Sequence, residues 1–123
     1  MFVIDARSRV PIYEQLKQNI ITLISSGVFS ADDQLPGVRS LARDLGINPN
    51  TVQRAYQELE AQGLIYQAAG RGSFIAPGDN PIKEITRRKL EELKECAVSA
   101  KQAGVTEDRA VNAVFEVYKE VKQ

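Results

Sequence analysis

Residues 35–56 read LPGVRSLARDLGINPNTVQRAY, and this stretch decides the fold. Its apolar residues fall into two groups with the three- and four-residue spacing that is typical of amphipathic helices. Between the groups stands Gly-Ile-Asn at 46–48, where glycine favours the end of one helix and asparagine favours the cap of the next. Pro49 suits the first position of that next helix. The stretch therefore predicts two helices, at about 38–45 and 49–62, joined by a short bend.

The second of these helices has an apolar side and a polar side. The apolar side consists of residues at helical spacing that we expect to pack inward: Val52, Ala55, Tyr56 and Leu59. The polar side consists of the residues between them: Asn50, Thr51, Gln53, Arg54 and Gln57. We therefore expect the polar side chains to be free to contact a partner.

A longer helix is predicted before this pair. Residues 11–26 (PIYEQLKQNIITLISS) carry one apolar stripe at helical spacing: Ile12, Leu16, Ile20, Leu23 and Ile24. Gly27 follows as a left-handed stop. In the connection after it, Val28, Phe29 and Leu35 are expected to anchor the chain in the core.

Two short β-strands are predicted at 64–68 and 73–76, around the loop Ala-Gly-Arg-Gly at 69–72. Two glycines in a four-residue loop allow the positive φ angles of a tight hairpin. A helix, a bend, a helix and a hairpin in this order predict a winged helix-turn-helix. The predicted fold class is therefore mainly α, with a small β-hairpin wing.

A run of helix breakers, Pro-Gly-Asp-Asn-Pro at 77–81, predicts a boundary between a domain at 1–77 and a tail at 78–123. The tail has the pattern of two helices. The first covers about 81–103, and Thr106 can cap the second.

Each tail helix is amphipathic, and its apolar stripe has no counterpart within the tail to cover it fully. The predicted dimerisation residues are Ile82, Ile85, Leu90, Leu93, Ala97, Val111, Val114, Phe115 and Tyr118. Ala100 and Val121 extend the two stripes, and Cys96, near the first, is expected to be a small core residue. Because two helices alone leave apolar surface in water, the tail predicts a homodimer.

Composition limits the classes of function. The chain carries 16 basic and 16 acidic residues, so its net charge of zero lacks the basic footprint that many nucleic-acid-binding domains show. It has no histidine, one cysteine, no metal-ligand cluster and no nucleophile–base pair, so an enzyme, a metal site and a cofactor are not expected. With no secretory signal pattern at Met1 and no apolar run long enough for a bilayer, the expected location is the cytoplasm, without a membrane partner.

Double-stranded DNA is the partner that the motif favours, since the second helix of a winged helix-turn-helix enters the major groove. Asparagine and glutamine pair well with adenine, and arginine with guanine. Arg39 opens the preceding helix, where it can bind a phosphate; Arg71 sits at the wing tip, and Arg43 is a weaker candidate.

Each of these residues also has a structural interpretation. Arg39 could pair with Asp44, and Arg71 could be an exposed turn residue. Gln53 and Arg54 could be solvated helix surface. Asn48 is expected to be a cap rather than a base reader, and Tyr56 a core residue.

The stretch resembles the DNA-binding domain of GntR-type regulators. The resemblance covers about 9–77 and is carried by residues 11–16, 35–42, 45–56, Leu59, 63–65 and 70–75. The short two-helix tail resembles the YtrA-like branch of that family, whose members lack a large effector domain and dimerise through the tail. Sequence-specific repression is the leading hypothesis, and a twofold dimer of such readers predicts an inverted-repeat operator. The resemblance implies control of a transporter operon.

The resemblance also implies roles for single residues. It implies that Arg39 contacts phosphate, that Thr51 contacts DNA, and that the wing approaches DNA at Gly70 or Gly72. The complete predicted DNA-contact set is Arg39, Arg43, Asn50, Thr51, Gln53, Arg54, Gly70, Arg71, Gly72 and Ser73.

Three positions depart from the family pattern. Gly37 replaces a usual serine, Pro49 stands where many members place a contacting arginine, and Gln53 stands where some have another. These changes predict weaker phosphate binding and leave the operator sequence open. A protein-interaction module remains the alternative function, and a small apolar effector between the tail helices remains open.

Overall fold

The computed structural model describes residues 2–78 and 80–120. Its helices and strands are α1 (Ile12–Ser25), α2 (Val38–Leu45), α3 (Pro49–Ala61), β1 (Ile65–Ala68), β2 (Gly72–Ile75), α4 (Asn80–Gln102) and α5 (Glu107–Lys119). The predicted fold class, a winged helix-turn-helix followed by two helices, is confirmed. Val121, expected to extend the last stripe, and Asp79, within the breaker run, lie outside the described residues. None of the described helices is long and apolar enough to cross a bilayer.

The chain forms two compact units, Met1–Lys83 and Glu84–Gln123. The division at 77/78, expected from the run of helix breakers, stays a prediction about where the DNA-binding part ends.

The core of the first unit lies between α1, α2 and α3. Each of the four α3 residues predicted to face inward has no exposed area, and Leu16 and Ile20 of α1 are equally buried. Leu41 and Ala42 add the inner side of α2. The apolar spacing therefore predicted this core correctly.

The connection after α1 differs from the prediction at one residue. Leu35 is buried as expected, and Phe29 is half-buried with its ring 6.4 Å from that of Phe2. Val28, however, is 52% exposed and is not a core anchor. The reason is the turn at Gly27, after which the Phe29 N–H donates to the Leu23 carbonyl and leaves Val28 on the solvent side.

The wing is an antiparallel hairpin in which Ile65 pairs with Ile75 and Ala68 pairs with Gly72. The other edge of β2 is also hydrogen-bonded, to residues 32–35. There the Leu35 N–H donates to the Ser73 carbonyl at 2.8 Å, and the Ile75 N–H donates to the Asp33 carbonyl at 2.9 Å. The hairpin is therefore attached to the segment that leads into α2.

Ionic contacts join α1 to α3. Lys17, whose side chain is only 12% exposed, donates to Glu58 at 2.9 Å and lies 3.4 Å from Glu14. Burial alone would lower the pKa of Lys17, but the hydrogen bond that it donates to Glu58 and the charges of Glu14 and Glu58 outweigh it and raise that pKa. The Lys17 hydrogen bond holds the pKa of Glu58 below its ordinary value, with a further contribution from Arg54.

Glu58 is expected to make the stability of the first unit depend on pH in the acid range. Because its pKa is lowered on folding, its contribution is present above the ordinary value of 4.5 and is lost as pH falls through the lower folded value. For Lys17 the sign is opposite, and its contribution is lost only as pH rises above 10.5. Urea unfolding should give wild type a higher free energy of unfolding than Glu58→Gln at neutral pH. The difference should decrease to zero as the pH is lowered into the acid range. Glu60→Gln, which removes an exposed carboxylate without an ion-pair partner among the described residues, is the control, and a pH-independent difference for Glu58→Gln would contradict this account.

The second unit is made of α4 and α5. Gly104, with φ 96°, turns the chain between them, and the Thr106 hydroxyl accepts from the Arg109 N–H at 3.4 Å, which confirms the predicted cap. Cys96 is exposed and is not the core residue expected. Two helices packed side by side bury little of their circumference, so a position beside the apolar stripe stays in water.

Candidate nucleic-acid interface

The bend between α2 and α3 fixes where α3 begins. Gly46 takes the left-handed conformation, φ 69° and ψ 36°, and the Ile47 N–H donates back to the Ala42 carbonyl at 3.0 Å. The Asn48 side chain accepts from the Asn50 N–H at 2.8 Å. Asn48 is therefore the helix cap that the sequence predicted.

The outer side of α3 presents the polar residues in two ways. Asn50 and Gln57 are exposed, whereas Thr51 and Gln53 are half-buried. The face expected to be wholly free is thus partly shielded, although Thr51 and Gln53 keep some accessible surface. Because the buried side chains of α3 hold the helix in place, these residues are offered from a fixed support.

Arg54 is engaged within the protein. Its guanidinium carbon lies 3.7 Å from the centroid of the Tyr13 ring, and its Nε donates to Glu58 at 3.2 Å. A cation over an aromatic ring and a salt bridge both favour the observed position. To reach a base, Arg54 would have to leave both partners, so its first role in this structure is to join α3 to α1. The spacing of Arg54 and Glu58, four residues apart on one helix, could have indicated their salt bridge, but the contact with Tyr13 joins distant parts of the sequence.

Three other arginines around α3 and the wing are uncommitted. Arg39 and Arg43 on α2 and Arg71 on the wing are exposed, and none has an ion-pair partner within 4.0 Å in the part of the chain that the structure describes. The alternative pairing of Arg39 with Asp44 does not occur. These cations are therefore available to an anion.

The wing tip is shaped by its glycines and by one glutamine. Gly70 and Gly72 have φ angles of 73° and 115°, in the left-handed region that favours glycine. The Gln34 amide donates to the Arg71 carbonyl at 2.8 Å, and a Cβ on Gly72 would lie 2.8 Å from the same nitrogen. Gln34 thus holds the tip that carries Arg71. Sequence reasoning missed this residue, since it lies outside the apolar pattern.

One predicted contact residue is not available at the surface. Ser73 is 9% exposed, and its backbone carbonyl accepts from Leu35. It is not part of the proposed interface, because its side chain lies on the same buried face of β2 as Ile75. At the outer side of β1, the Tyr66 hydroxyl donates to Asp32 at 2.6 Å, and this hydrogen bond raises the pKa of Tyr66.

These residues are suited to binding a partner through hydrogen bonds and charge. Across residues 2–78 and 80–120 there is no group of three or more histidine, cysteine, aspartate or glutamate residues that could hold a metal ion. The polar groups on α3 are amides, a hydroxyl and a guanidinium. Beside them lie two exposed arginines on α2, Arg39 and Arg43, and a third, Arg71, on the wing.

Comparison with known proteins decides the family. Residues 12–75, more than half of the chain, match the gntR family of bacterial regulatory proteins. The chain belongs to the GntR family. The HTH-type transcriptional repressor YtrA of Bacillus subtilis is 38% identical over 126 aligned positions, which cover 99% of this GntR chain and 95% of that repressor.

Solved GntR structures agree with this assignment. A GntR family transcriptional regulator from Listeria monocytogenes superposes with a TM-score of 0.75 at 32% identity, covering 92% of this chain and 98% of that one. The DNA-binding domain of AraR in complex with operator ORX1 gives a TM-score of 0.55 at 28% identity, covering 60% of this chain and 93% of that one. This GntR chain is therefore a DNA-binding transcription regulator and not an enzyme, and the predicted resemblance is confirmed.

Proposed function

We propose that this GntR regulator binds an inverted-repeat operator as a homodimer and represses transcription from it. The observation that carries the proposal is the set of uncommitted arginines, Arg39, Arg43 and Arg71, around the partly exposed polar side of α3. The repressor role is supported by the YtrA relative, which matches nearly the whole chain.

Phosphates and bases would be contacted by different residues. Arg39 and Arg43 on α2, together with Arg71 on the wing, have the long exposed side chains that bind a phosphate backbone and set the register of the protein. Asn50, Thr51 and Gln53 near the start of α3 would read base edges in the major groove. Gly70 and Gly72 would let the wing backbone approach the DNA closely.

The tail supports a homodimer. A groove of about 420 Å³ runs along α4 and α5 and is lined by Leu93, Lys94, Ala97, Ala110, Val111, Val114, Phe115 and Tyr118. Phe115 is 59% exposed and Tyr118 81% exposed, which is costly for an apolar stripe in water. Leu90 is also exposed, whereas Ile82 and Ile85 are half-buried already in the single chain.

A second copy of the chain would cover this face and bring two recognition helices together. Two such helices on one side of DNA require half-sites about 34–36 Å apart. The same groove is wide enough for a small apolar effector, which would act by changing the separation of the two helices. The effector and the regulated operon stay predictions.

The test is selection of bound DNA from a random pool, followed by affinity measurements on the selected duplex. We expect an inverted repeat. We expect Arg39→Ala with Arg71→Ala to weaken binding by about tenfold or more and to lower the slope of log K against log salt by about 0.9 for each phosphate that is no longer neutralised.

The control removes equal charge from the tail through Lys101→Ala with Arg109→Ala, both exposed. It should bind like wild type. Enrichment of no sequence, or unchanged affinity in the Arg39 and Arg71 variant, would favour the protein-interaction module instead.

A further inference from the structure

An arm formed by residues 2–10 folds back along α1. The Val3 N–H donates to the Asn19 side chain and the Asn19 amide donates to the Val3 carbonyl, each at 3.0 Å. The Asp5 N–H donates to Gln15 at 2.8 Å, and Gln15 donates to the Asp5 carbonyl at 2.9 Å. Earlier arm residues thus pair with later helix residues, so the arm runs antiparallel to α1.

This direction puts the turn of the arm at the N-terminal end of α1. The turn is held by several hydrogen bonds: the Arg7 N–H donates to the Asp5 carboxylate at 3.0 Å, the Val10 N–H donates to the Ser8 hydroxyl at 3.1 Å, and Gln15 donates to the Val10 carbonyl at 2.8 Å. Residues 7–9 are therefore an ordered loop at that end of the helix.

The same end of α1 lies beside the start of α3. Tyr13 contacts Arg54, and one helical turn later Lys17 contacts Glu58, so α1 and α3 run parallel. One turn before Arg54 on α3 is Asn50, so α1 and α3 begin at the same end of the first unit. The loop at 7–9, at the N-terminal end of α1, therefore lies at the end of the first unit where α3 begins and would meet DNA.

The charges of this loop suit a phosphate. Arg7 and Arg9 are exposed, and neither has an ion-pair partner among the residues described. Of the two carboxylates close in sequence, Asp5 accepts from the Arg7 N–H and Glu14 lies 3.4 Å from Lys17. The two guanidinium groups therefore remain uncommitted.

We propose that the loop at 7–9 binds the DNA backbone through Arg7 and Arg9, at phosphates just outside the inverted repeat and next to those contacted from α2 and the wing. This interaction rests on the proposed function, since it needs the start of α3 at the duplex. The loop would add as many as two phosphate contacts in each protomer and would contact no base.

The test compares wild type with Arg7→Gln and Arg9→Gln combined, on a long operator and on one trimmed to the selected inverted repeat. On the long operator we expect about tenfold weaker binding and a salt slope lowered by about 1 for each arginine that no longer meets a phosphate. On the trimmed operator, which lacks the outer phosphates, the two proteins should bind alike. Lys101→Gln with Arg109→Gln is the control of equal charge.

A second variant tests position rather than charge. Gln15→Met removes the three hydrogen bonds between Gln15 and the arm but keeps both arginines and the Val3–Asn19 pair, and it should weaken binding to the long operator by a smaller factor. Circular dichroism of each variant checks that the domain is folded.

The outcomes separate the two proposals. If wild type binds neither operator, the proposed function is wrong, and the arm contact is wrong with it. If wild type binds but the arginine variant binds the long operator with unchanged affinity and salt slope, only the arm contact is overturned. An equal decrease in affinity on both operators would also overturn it, because the effect would then be general charge rather than contact with outer phosphates.

Discussion

Phe115→Glu is expected to convert the proposed homodimer into monomers and to weaken binding to a two-half-site operator by about 10²- to 10⁴-fold, the factor that linking two binding modules provides. The side chain is 59% exposed in the single chain and lines the tail groove, so the folded monomer should tolerate the charge. In a dimer the same carboxylate would be taken out of water at an apolar contact, which is unfavourable even with Lys94 and Lys119 nearby.

Sedimentation equilibrium gives the mass, and gel shifts on the inverted repeat give the affinity. Ala113→Glu adds the same charge to an exposed position of α5 that does not line the groove, and it should remain dimeric and bind normally. A wild-type monomer, or a Phe115→Glu dimer of undiminished affinity, would show that this face does not hold two copies together.

Tyr56→Ala is expected to lower the free energy of unfolding of the first unit by about 3–5 kcal/mol. Tyr56 has no exposed area, and burial raises the pKa of its phenol, whose hydroxyl donates to the Pro36 carbonyl at 2.7 Å. The ring fills the space between α3 and the segment that enters α2. Its removal leaves a cavity beneath the recognition helix and a carbonyl without its partner.

Two further variants divide this cost. Tyr56→Phe keeps the ring and loses the hydrogen bond, so about 1–2 kcal/mol is expected. Gln57→Ala changes the exposed neighbour on α3 and should stay within about 0.5 kcal/mol of wild type. Urea unfolding with linear extrapolation measures all three. A decrease below about 1 kcal/mol for Tyr56→Ala would mean that the site collapses without a cavity.

Local pattern was enough to predict the helices, the bend and the inner side of α3. Apolar spacing placed α2 at Val38–Leu45, and the cap preference of asparagine placed the start of α3 at Asn48. These features depend on neighbours within one or two turns, which the sequence shows directly.

Contacts between distant residues were not predictable in the same way. Glu58, four residues after Arg54, is visible as a partner in the sequence, but the Tyr13 ring that packs on the Arg54 guanidinium comes from another helix. Gln34 holds the wing tip from a segment without any regular pattern. Val28 and Cys96 are apolar or small, yet both remain exposed, because burial depends on which surfaces the fold brings against them.

The net charge of zero does not describe the local charge around α3 and the wing. Within the part of the chain that the structure describes, the glutamates in ion pairs with lysine or arginine include Glu14, Glu58, Glu84, Glu91 and Glu92. Arg39, Arg43 and Arg71 take part in none among the described residues. A sum over the chain therefore hides cations that remain available to a phosphate backbone.

The hydrogen bonds on both edges of β2 have a consequence for retargeting this regulator. A register slip of one residue would turn Ile75 outward and Phe74 inward and would break the bonds to β1 and to 32–35 together. The position of the hairpin relative to the helices of the first unit therefore does not depend on the side chain at residue 71. Replacing Arg71 with another long polar residue changes what the tip offers to a groove without changing where the tip is.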